Sequence, residues 1–419
     1  MMRRVISGVT YLLVGCSVVL IVLVIFVNFK SQVFDRVFFD EEKQIETIGS
    51  SKENNANANG TDDFSGAPEV LPPTQNSNTP THPVPSGNIS VNVAESIVYD
   101  GELELPVSGA TGYASVEMEV YNDEITVSLA TLKPGKGFVI LSEYGPYWRV
   151  CVKSEADGRD IIGWVYHSLC LINLPDVIPS IVYNNTNAYR SVFRANGEAI
   201  PNITGKQLYS YSERSDGKVY NERLQRYEYI VPVLYSMAKR VCAAQQNALA
   251  GGDSLVIYEG FRPQETQQSV FRAVNNLPAS QKKFGSWSQG WFIASGKSNH
   301  QIGYAMDASL AQVVEVDEKV TGKYRYKQLV HFEYTMPTQI HELSVDSALY
   351  ASPGSRTYSE GVKNSEPAQR LQKYCTSAGF TPLASEWWHF NDEYARAGIT
   401  RESSGNFLIT ECFSASPAG

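Results

Sequence analysis

Two short segments of the chain combine histidine with carboxylates at spacings that suit a metal site. His300 stands seven residues before Asp307, and Glu386 stands three residues before His389. Two histidines and one aspartate can hold zinc with the fourth coordination position open to water. A further glutamate close to that water is the base that a metallohydrolase requires. The alternative for either segment alone is a surface turn that carries these side chains without function.

Together the two segments resemble the motifs of the D-alanyl-D-alanine metallopeptidases. The pattern S-x-H-x-x-G-x-A-x-D is followed, roughly eighty residues later, by E-W-W-H. This family includes the VanX-type dipeptidases and the VanY-type carboxypeptidases of bacterial cell-wall metabolism. Residues 259–263 resemble the G-[YF]-R-P segment of the VanX branch, and residues 174–179 resemble its N-terminal start. The resemblance covers roughly residues 173–393 and implies hydrolysis of D-Ala-D-Ala-type bonds with one zinc ion per chain.

The resemblance assigns a role to individual residues. His300, Asp307 and His389 match the zinc ligands, Glu386 matches the catalytic base, and Arg262 matches an arginine that stabilises the developing oxyanion. These roles are chemically consistent, because zinc lowers the pKa of its bound water toward about 7 and a fixed guanidinium can meet the negative charge of a tetrahedral intermediate.

Three more residues are candidates for substrate binding. Ser298 would either hold the substrate carboxylate or cap a turn. Residues 336–342 resemble a segment in which an aspartate of the dipeptidases binds the free amine of the substrate, and His341 stands in its place. A neutral imidazole is a poorer partner for an ammonium group than a carboxylate, and Glu342 could replace it only with a different side-chain direction. This departure favours carboxypeptidase over strict dipeptidase action.

The N-terminal region predicts a membrane anchor in residues 1–30. Residues 5–29 carry no charge and would form a helix of roughly 37 Å, enough to cross a hydrocarbon core of about 30 Å. Arg3 and Arg4 place the N-terminus in the cytoplasm and the remainder outside. A cleaved signal is less consistent with this length, and lipidation at Cys16 is disfavoured because the apolar run continues past it.

Residues 31–88 predict a juxtamembrane segment and a disordered linker, rich in asparagine and proline. Residues 89–174 show short alternating runs separated by turn signals, which predicts a small all-β barrel. Part of it resembles bacterial SH3-like domains, namely residues 132–137, 147–150 and 163–165. The resemblance implies a module that holds peptidoglycan, and the alternative is a spacer.

Residues 175–419 predict a single α+β domain, an antiparallel sheet with flanking helices. Hydrophobic periodicity predicts helices at residues 222–249, 266–275 and 367–378, and strands at residues 254–258, 304–310 and 385–390. Pro232 is expected to kink or bound the first helix. Cys151 and Cys170 could form a disulfide outside the cell or remain buried thiols.

Composition narrows the function classes. The net charge is −9, so a nucleic-acid partner is not expected. The sequence therefore predicts a membrane-anchored, extracytoplasmic zinc D,D-peptidase that acts on peptidoglycan stem peptides or on D-Ala-D-Ala. Two alternatives remain: L,D-carboxypeptidase or endopeptidase action on the same stems, and a non-catalytic wall-binding protein. The second is disfavoured because the chain keeps every ligand and the base.

Overall fold

The computed structural model describes residues 105–184, 193–203, 218–322, 324–399 and 405–409, together with residues 412 and 414. The predicted anchor, the linker and Cys16 lie outside the described residues. Within the described ranges, no helix has both the length and the apolar character needed to cross a bilayer.

The first part of the described chain forms seven antiparallel strands. They are β1 (Thr111–Ala114), β2 (Met118–Tyr121), β3 (Ser128–Leu132), β4 (Gly137–Tyr144), β5 (Tyr147–Lys153), β6 (Asp160–Tyr166) and β7 (Cys170–Asn173). Buried and partly exposed side chains alternate along β2, as the period of a half-buried strand requires. The strands pair in the order β7-β1-β4-β5-β6-β2-β3. Strands therefore dominate the described part of the segment predicted to be all-β, while its SH3-like character stays a prediction.

The second part mixes helices with strands. The strands are β8 (Val182–Tyr183), β9 (Arg194–Ala195), β10 (Glu198–Ala199), β11 (Val219–Asn221), β12 (Arg226–Glu228), β13 (Pro232–Leu234), β14 (Asp253–Glu259), β15 (Ala305–Thr321), β16 (Tyr324–Glu333), β17 (Glu342–Leu343), β18 (Thr381–Pro382) and β19 (His389–Asn391). The α-helices are α1 (Leu174–Val177), α2 (Tyr235–Ala250), α3 (Gln264–Asn275), α4 (Asn299–Ile302), α5 (Glu360–Lys363), α6 (Glu366–Ser377) and α7 (Glu393–Ile399).

The helix predicted for residues 222–249 is partly wrong. Its first half contains β12 and β13, and the helix α2 begins only at Tyr235. Pro232 opens β13, a place where a strand tolerates a residue without an N–H group. The remaining predicted elements are found with shifted ends, and the strand predicted for residues 385–390 is reduced to β19.

Strand β13 joins the two parts of the fold. It pairs antiparallel with β7, so that Leu234 lies opposite Leu171. Because β13 occupies the outer edge of β7, the first sheet stays open, and among the described strands no pairing closes the predicted barrel. Asp176 lies at the junction, where its side chain accepts hydrogen bonds from the Thr111 N–H at 2.8 Å and from Asn221 Nδ2 at 2.6 Å.

A second sheet, of order β18-β19-β15-β14-β8 with β16 also paired to β15, carries the residues that the sequence analysis selected. One face of β14 and β15 buries Leu255, Ile257 and Leu310 in the main hydrophobic core, with apolar residues of α2 and α6. The opposite face carries Glu259 and Asp307, which lie opposite each other after a bulge in β14. The bulge adds one residue and redirects the end of β14.

The two cysteines for which a disulfide was one of two predictions are free thiols in the structure. Cys151 and Cys170 are both free of disulfides. Cys170 is buried, and its sulfur lies 3.8 Å from the sulfur of Met118. Burial raises the pKa of the Cys170 thiol, which therefore behaves as a small apolar core residue.

Candidate active site

His300 is positioned by the short helix α4, whose ends are fixed by capping. The Ser298 hydroxyl accepts the N–H of His300 at 3.2 Å, and the Gln301 side chain accepts the N–H of Ser298 at 2.7 Å. This reciprocal pair satisfies two backbone donors at the helix start. Gly303 ends the helix at φ +86°, a left-handed conformation that glycine adopts without strain. Ser298 therefore performs the capping role that was its alternative to substrate binding, while it also lines the cavity.

Asp307 and His389 are brought together by strand register. They lie opposite each other in the antiparallel pair β15–β19, so both side chains point to the same face of the sheet. Glu386 stands in the turn that leads into β19, three residues before His389. Residues far apart in sequence thus converge on the place where His300 arrives from α4.

The three candidate ligand atoms form a nearly regular triangle. Nε2 of His300 lies 3.1 Å from Nδ1 of His389, Nδ1 of His389 lies 3.0 Å from Oδ1 of Asp307, and Oδ1 of Asp307 lies 3.4 Å from Nε2 of His300. A zinc tetrahedron with arms of about 2.0–2.1 Å has edges of about 3.3–3.4 Å. All three side chains are buried. The residues therefore fit a zinc ion with one face left open.

Each of the two histidines of the ligand triangle, His300 and His389, has one ring nitrogen that is hydrogen-bonded to the protein and a second that faces the triangle. Nδ1 of His300 lies 2.8 Å from the carbonyl oxygen of Gly260, and Nε2 of His389 lies 2.9 Å from Oδ1 of Asn391. Both oxygens can only accept, so the histidine nitrogens that face them carry the protons. The lone pairs of His300 Nε2 and His389 Nδ1 are then available to a metal. Asn391 is itself held by Asn299 at 2.8 Å.

Arg262 is fixed by a buried carboxylate. Its Nε donates to Oε1 of Glu259 at 2.7 Å, its Nη2 donates to Oε2 of the same residue, and its Nη1 donates to Oε1 of Gln267 at 2.7 Å. Burial alone would raise the pKa of Glu259, but the charge and hydrogen bonds of Arg262 lower that pKa to about 2. The guanidinium therefore stands as a permanent, oriented charge beside Asp307, 3.6 Å from Oδ2.

His341 contacts the other oxygen of Asp307. Its Nε2 lies 3.0 Å from Oδ2 of Asp307 and 3.4 Å from Oε2 of Glu259. Its ring stacks on Phe193 at a centroid distance of 4.5 Å with planes only 4° apart. Burial opposes the charged form, but hydrogen bonds to Asp307 and Glu259 raise the pKa of His341 to about 9. His341 thus lies in the cavity as a donor to two carboxylates.

A second group of possible metal ligands exists in the same place. Glu259, Asp307 and His341 also have ligand atoms within 4.8 Å of one another. Arg262 already supplies a cation to Glu259, at 2.5 Å, and the charge of a second metal ion would be repelled by it. The group of His300, Asp307 and His389 is the better metal site because no cationic side chain is hydrogen-bonded to its three ligand atoms among the described residues.

Glu386 lies beside the ligand triangle without belonging to it. Its Oε2 is 3.8 Å from Nδ1 of His389, and its side chain is buried in the cavity wall. Burial raises the pKa of Glu386 to about 8, although the nearby His389 opposes the rise. A carboxyl group in such a setting can both accept and return a proton near neutral pH. A bound cation would favour its ionised form.

Glu342 is not brought to the site. Its Oε1 accepts the N–H of Gly197 at 2.8 Å, and the neighbouring Leu343 lines the cavity instead. Glu342 begins β17, whereas His341 stands just before the strand with φ +61°, so the two side chains take different directions.

The cavity itself is small, about 140 Å³. His300, Asp307 and His389 lie in its wall together with Arg262 and Glu386. Apolar side chains complete it, among them Phe193, Trp291, Ile293, Leu383 and Trp388. The volume suits a small residue next to the ligand triangle.

Three residues of the site had no role in the sequence analysis. Glu259 stands three residues before Arg262, so a signal was present in the same segment. Asn391 follows His389 by two positions and shares its face of β19, which strand periodicity can predict. Gln267 gave no signal, because only the turn of α3 brings it to Arg262.

A comparison with known families covers part of this site. A family model described as VanY, D-alanyl-D-alanine carboxypeptidase, matches residues 233–336. The matched segment contains Glu259, Arg262, His300 and Asp307, and it ends before Glu386 and His389. No curated protein matches the chain. Residues 233–336 are therefore similar to VanY-type peptidases, which supports a cell-wall peptidase activity of the carboxypeptidase type.

Proposed function

We propose that this protein is a zinc-dependent D,D-carboxypeptidase that removes the terminal D-alanine from cell-wall stem peptides ending in D-Ala-D-Ala. The observation that carries the proposal is the triangle of His300 Nε2, Asp307 Oδ1 and His389 Nδ1, with edges of 3.0–3.4 Å and Glu386 beside it. The VanY match over residues 233–336 supports the same class of reaction.

Zinc, held by His300, Asp307 and His389, would acidify a water molecule and polarise the scissile carbonyl. Glu386 accepts the proton of the attacking water and later delivers it to the leaving amine. Its place beside the ligand triangle suits this exchange, because a bound cation would favour the ionised carboxylate that accepts the proton.

Arg262 meets the negative charge that develops on the carbonyl oxygen. Glu259 and Gln267 hold the guanidinium in advance, so little reorganisation is needed when the charge appears. His341 holds Oδ2 of Asp307 and leaves Oδ1 for the metal. His341 thereby acts as a positioning residue.

The charges in the cavity favour a carboxypeptidase over a dipeptidase. Of the described residues that line it, only Asp307 and Glu386 carry carboxylates, and both already have roles in the metal site. The cationic residues Arg262 and His341 would repel a free substrate amine. A peptide whose amine is acylated avoids this repulsion.

In this proposal, the N-terminal part of the chain brings the catalytic part to the cell wall. Residues 1–30 anchor the protein in the membrane with the N-terminus in the cytoplasm, and residues 31–88 give it reach. Residues 89–174, the SH3-like part, hold peptidoglycan and raise the local substrate concentration. The catalytic part, residues 175–419, then acts on the extracytoplasmic side.

A peptide panel tests the proposal. Zinc-loaded protein is incubated with acetyl-L-Lys-D-Ala-D-Ala, free D-Ala-D-Ala, and a peptide that ends in L-Lys-D-Ala, and products are identified by mass spectrometry. Release of D-alanine from the first peptide only is the expected result, and Glu386→Gln is the inactive control. Cleavage of the third peptide alone would show L,D-carboxypeptidase specificity. No cleavage of any peptide would favour a non-catalytic binding protein.

A further inference from the structure

A second, larger cavity lies beside the catalytic one. Its volume is about 450 Å³, and it is lined by Arg194, Tyr258, Ser309, Glu333, Met336 and Ile340, among others. Ser309 follows Asp307 by two positions on β15, so both side chains project from the same face of the sheet. His341 and Ile340 are consecutive and line the first and second cavity respectively. The two cavities are therefore neighbours along one face.

Two polar atoms at the second cavity are left without partners. The hydroxyl of Ser309, a residue only 1% exposed, and Nε of Arg194 are buried and make no hydrogen bond to any described residue. A buried polar group without a partner is costly, so such groups are rare and call for an explanation. A ligand carbonyl in this cavity would accept from either of them.

The other groups of the cavity suit an aliphatic chain with a cationic end. Met336 and Ile340 provide apolar surface. The carboxylate of Glu333 lines the same cavity, and the Tyr258 hydroxyl lies 2.8 and 2.9 Å from its two oxygens. Each oxygen keeps a further lone pair for an ammonium group.

We infer that the second cavity binds the residue that precedes D-Ala-D-Ala in the substrate, and that it selects a long aliphatic side chain ending in an amine. The inference rests on the proposed function. In a carboxypeptidase, the residue released is the last of the chain, so a substrate can extend only on its acyl side. The first cavity, of about 140 Å³, suits a small residue, and the second, of about 450 Å³, lies beside it and can take the extension.

Binding to an inactive protein tests the amine preference. Zinc-loaded Glu386→Gln protein is titrated with acetyl-L-Lys-D-Ala-D-Ala and with the norleucine analogue, which has an aliphatic side chain but no amine. The lysine peptide is expected to bind about two- to fivefold more tightly, as a partly exposed ion pair allows. Adding Glu333→Gln should remove this preference. Glu315→Gln, an exposed carboxylate on the same hairpin that does not line the cavity, should keep it.

Ser309→Ala gives a second, independent readout. The variant should bind both acetylated tripeptides about two- to tenfold more weakly, since one hydrogen bond is lost, and should bind acetyl-D-Ala-D-Ala unchanged. Its melting temperature should stay equal or rise, because an unpaired buried hydroxyl is removed. A merely structural serine would instead lower the melting temperature and leave the affinities equal.

The binding comparison tests the inference, and hydrolysis by the parent protein tests the proposed function. Equal affinity for the lysine and norleucine peptides, or the same loss with Glu315→Gln as with Glu333→Gln, overturns the inference even if D-alanine is released. Absence of hydrolysis by the parent protein overturns the proposed function, while the binding comparison on the Glu386→Gln protein still decides the inference.

Discussion

Nε2 of His341 lies 3.0 Å from Oδ2 of Asp307, while Oδ1 of the same carboxylate lies 3.0 Å from Nδ1 of His389. The two oxygens of Asp307 therefore have separate partners. One is held by the protein, and the other belongs to the ligand triangle. This division prevents the carboxylate from rotating and presents a single oxygen to a metal ion.

Replacement of His341 should weaken zinc binding. His341→Ala removes the donor that holds Oδ2 of Asp307, and loss of such an outer partner typically costs about 10- to 100-fold in metal affinity. Competition with a chromophoric chelator measures it. His331→Ala, a change at an exposed histidine of β16, is the matched control. Equal zinc affinity in the two variants would show that Asp307 needs no support from His341.

Removal of a ligand should abolish tight zinc binding. We expect His300→Ala and His389→Ala to lose the metal, because two remaining ligands rarely hold zinc against water. Metal analysis after gel filtration gives the stoichiometry, with one zinc ion per parent chain as the expected value. Chelators should remove both the metal and the activity. Full peptidase activity in metal-free protein would contradict the mechanism.

Glu386→Gln should keep zinc and the fold but lose turnover. The residue lies 3.8 Å from His389 and outside the ligand triangle, so its loss removes the base and not the site. A general base typically contributes about 10²- to 10⁴-fold. The measurement is kcat on acetyl-L-Lys-D-Ala-D-Ala, with zinc content determined on the same sample. Turnover near the parent rate would disprove the assignment.

Arg262→Lys should lower kcat at least tenfold, since a single ammonium group cannot bond Glu259 through two nitrogens and reach Gln267 at the same time. The charge stays, so the buried Glu259 keeps a cationic partner and the protein should still fold. Steady-state kinetics and thermal unfolding are measured together. An unchanged kcat would mean that the guanidinium only balances Glu259.

The junction at Asp176 should make stability depend on pH. Burial raises the pKa of this carboxyl group in the folded protein, despite its hydrogen bonds from Thr111 and Asn221. A raised folded pKa means that folding favours the protonated form. The stability linked to Asp176 is therefore greatest at acid pH and falls as the pH rises above about 3.9, its unfolded value, through the folded pKa.

Asp176→Asn removes this titration. As the pH is raised from about 4, the melting temperature of the parent should therefore fall relative to that of the variant. Parallel curves for the two proteins would show that Asp176 has the same pKa in the folded and unfolded states.

Much of the catalytic group could be predicted from local spacing. The motif around His300 and the Glu386–His389 pair identified residues that the structure gathers in one cavity, while the role of Arg262 was implied only by the resemblance of residues 259–263 to a family segment. Such spacing is informative because it depends on one turn, one short helix or one strand at a time. Hydrophobic periodicity likewise predicted α3, α6 and β14, whose apolar residues repeat within a single element.

The sequence by itself determined which side chains are available for the chemistry, while only the tertiary structure decided how they are paired. The register of β15 against β19 sets Asp307 opposite His389, and β13 joins β7 where a helix was expected. The same holds for His341, which meets Asp307, and for Glu342, which turns away to Gly197. These contacts link residues far apart in the chain, and the packing of distant strands and loops, which no local pattern encodes, selects them.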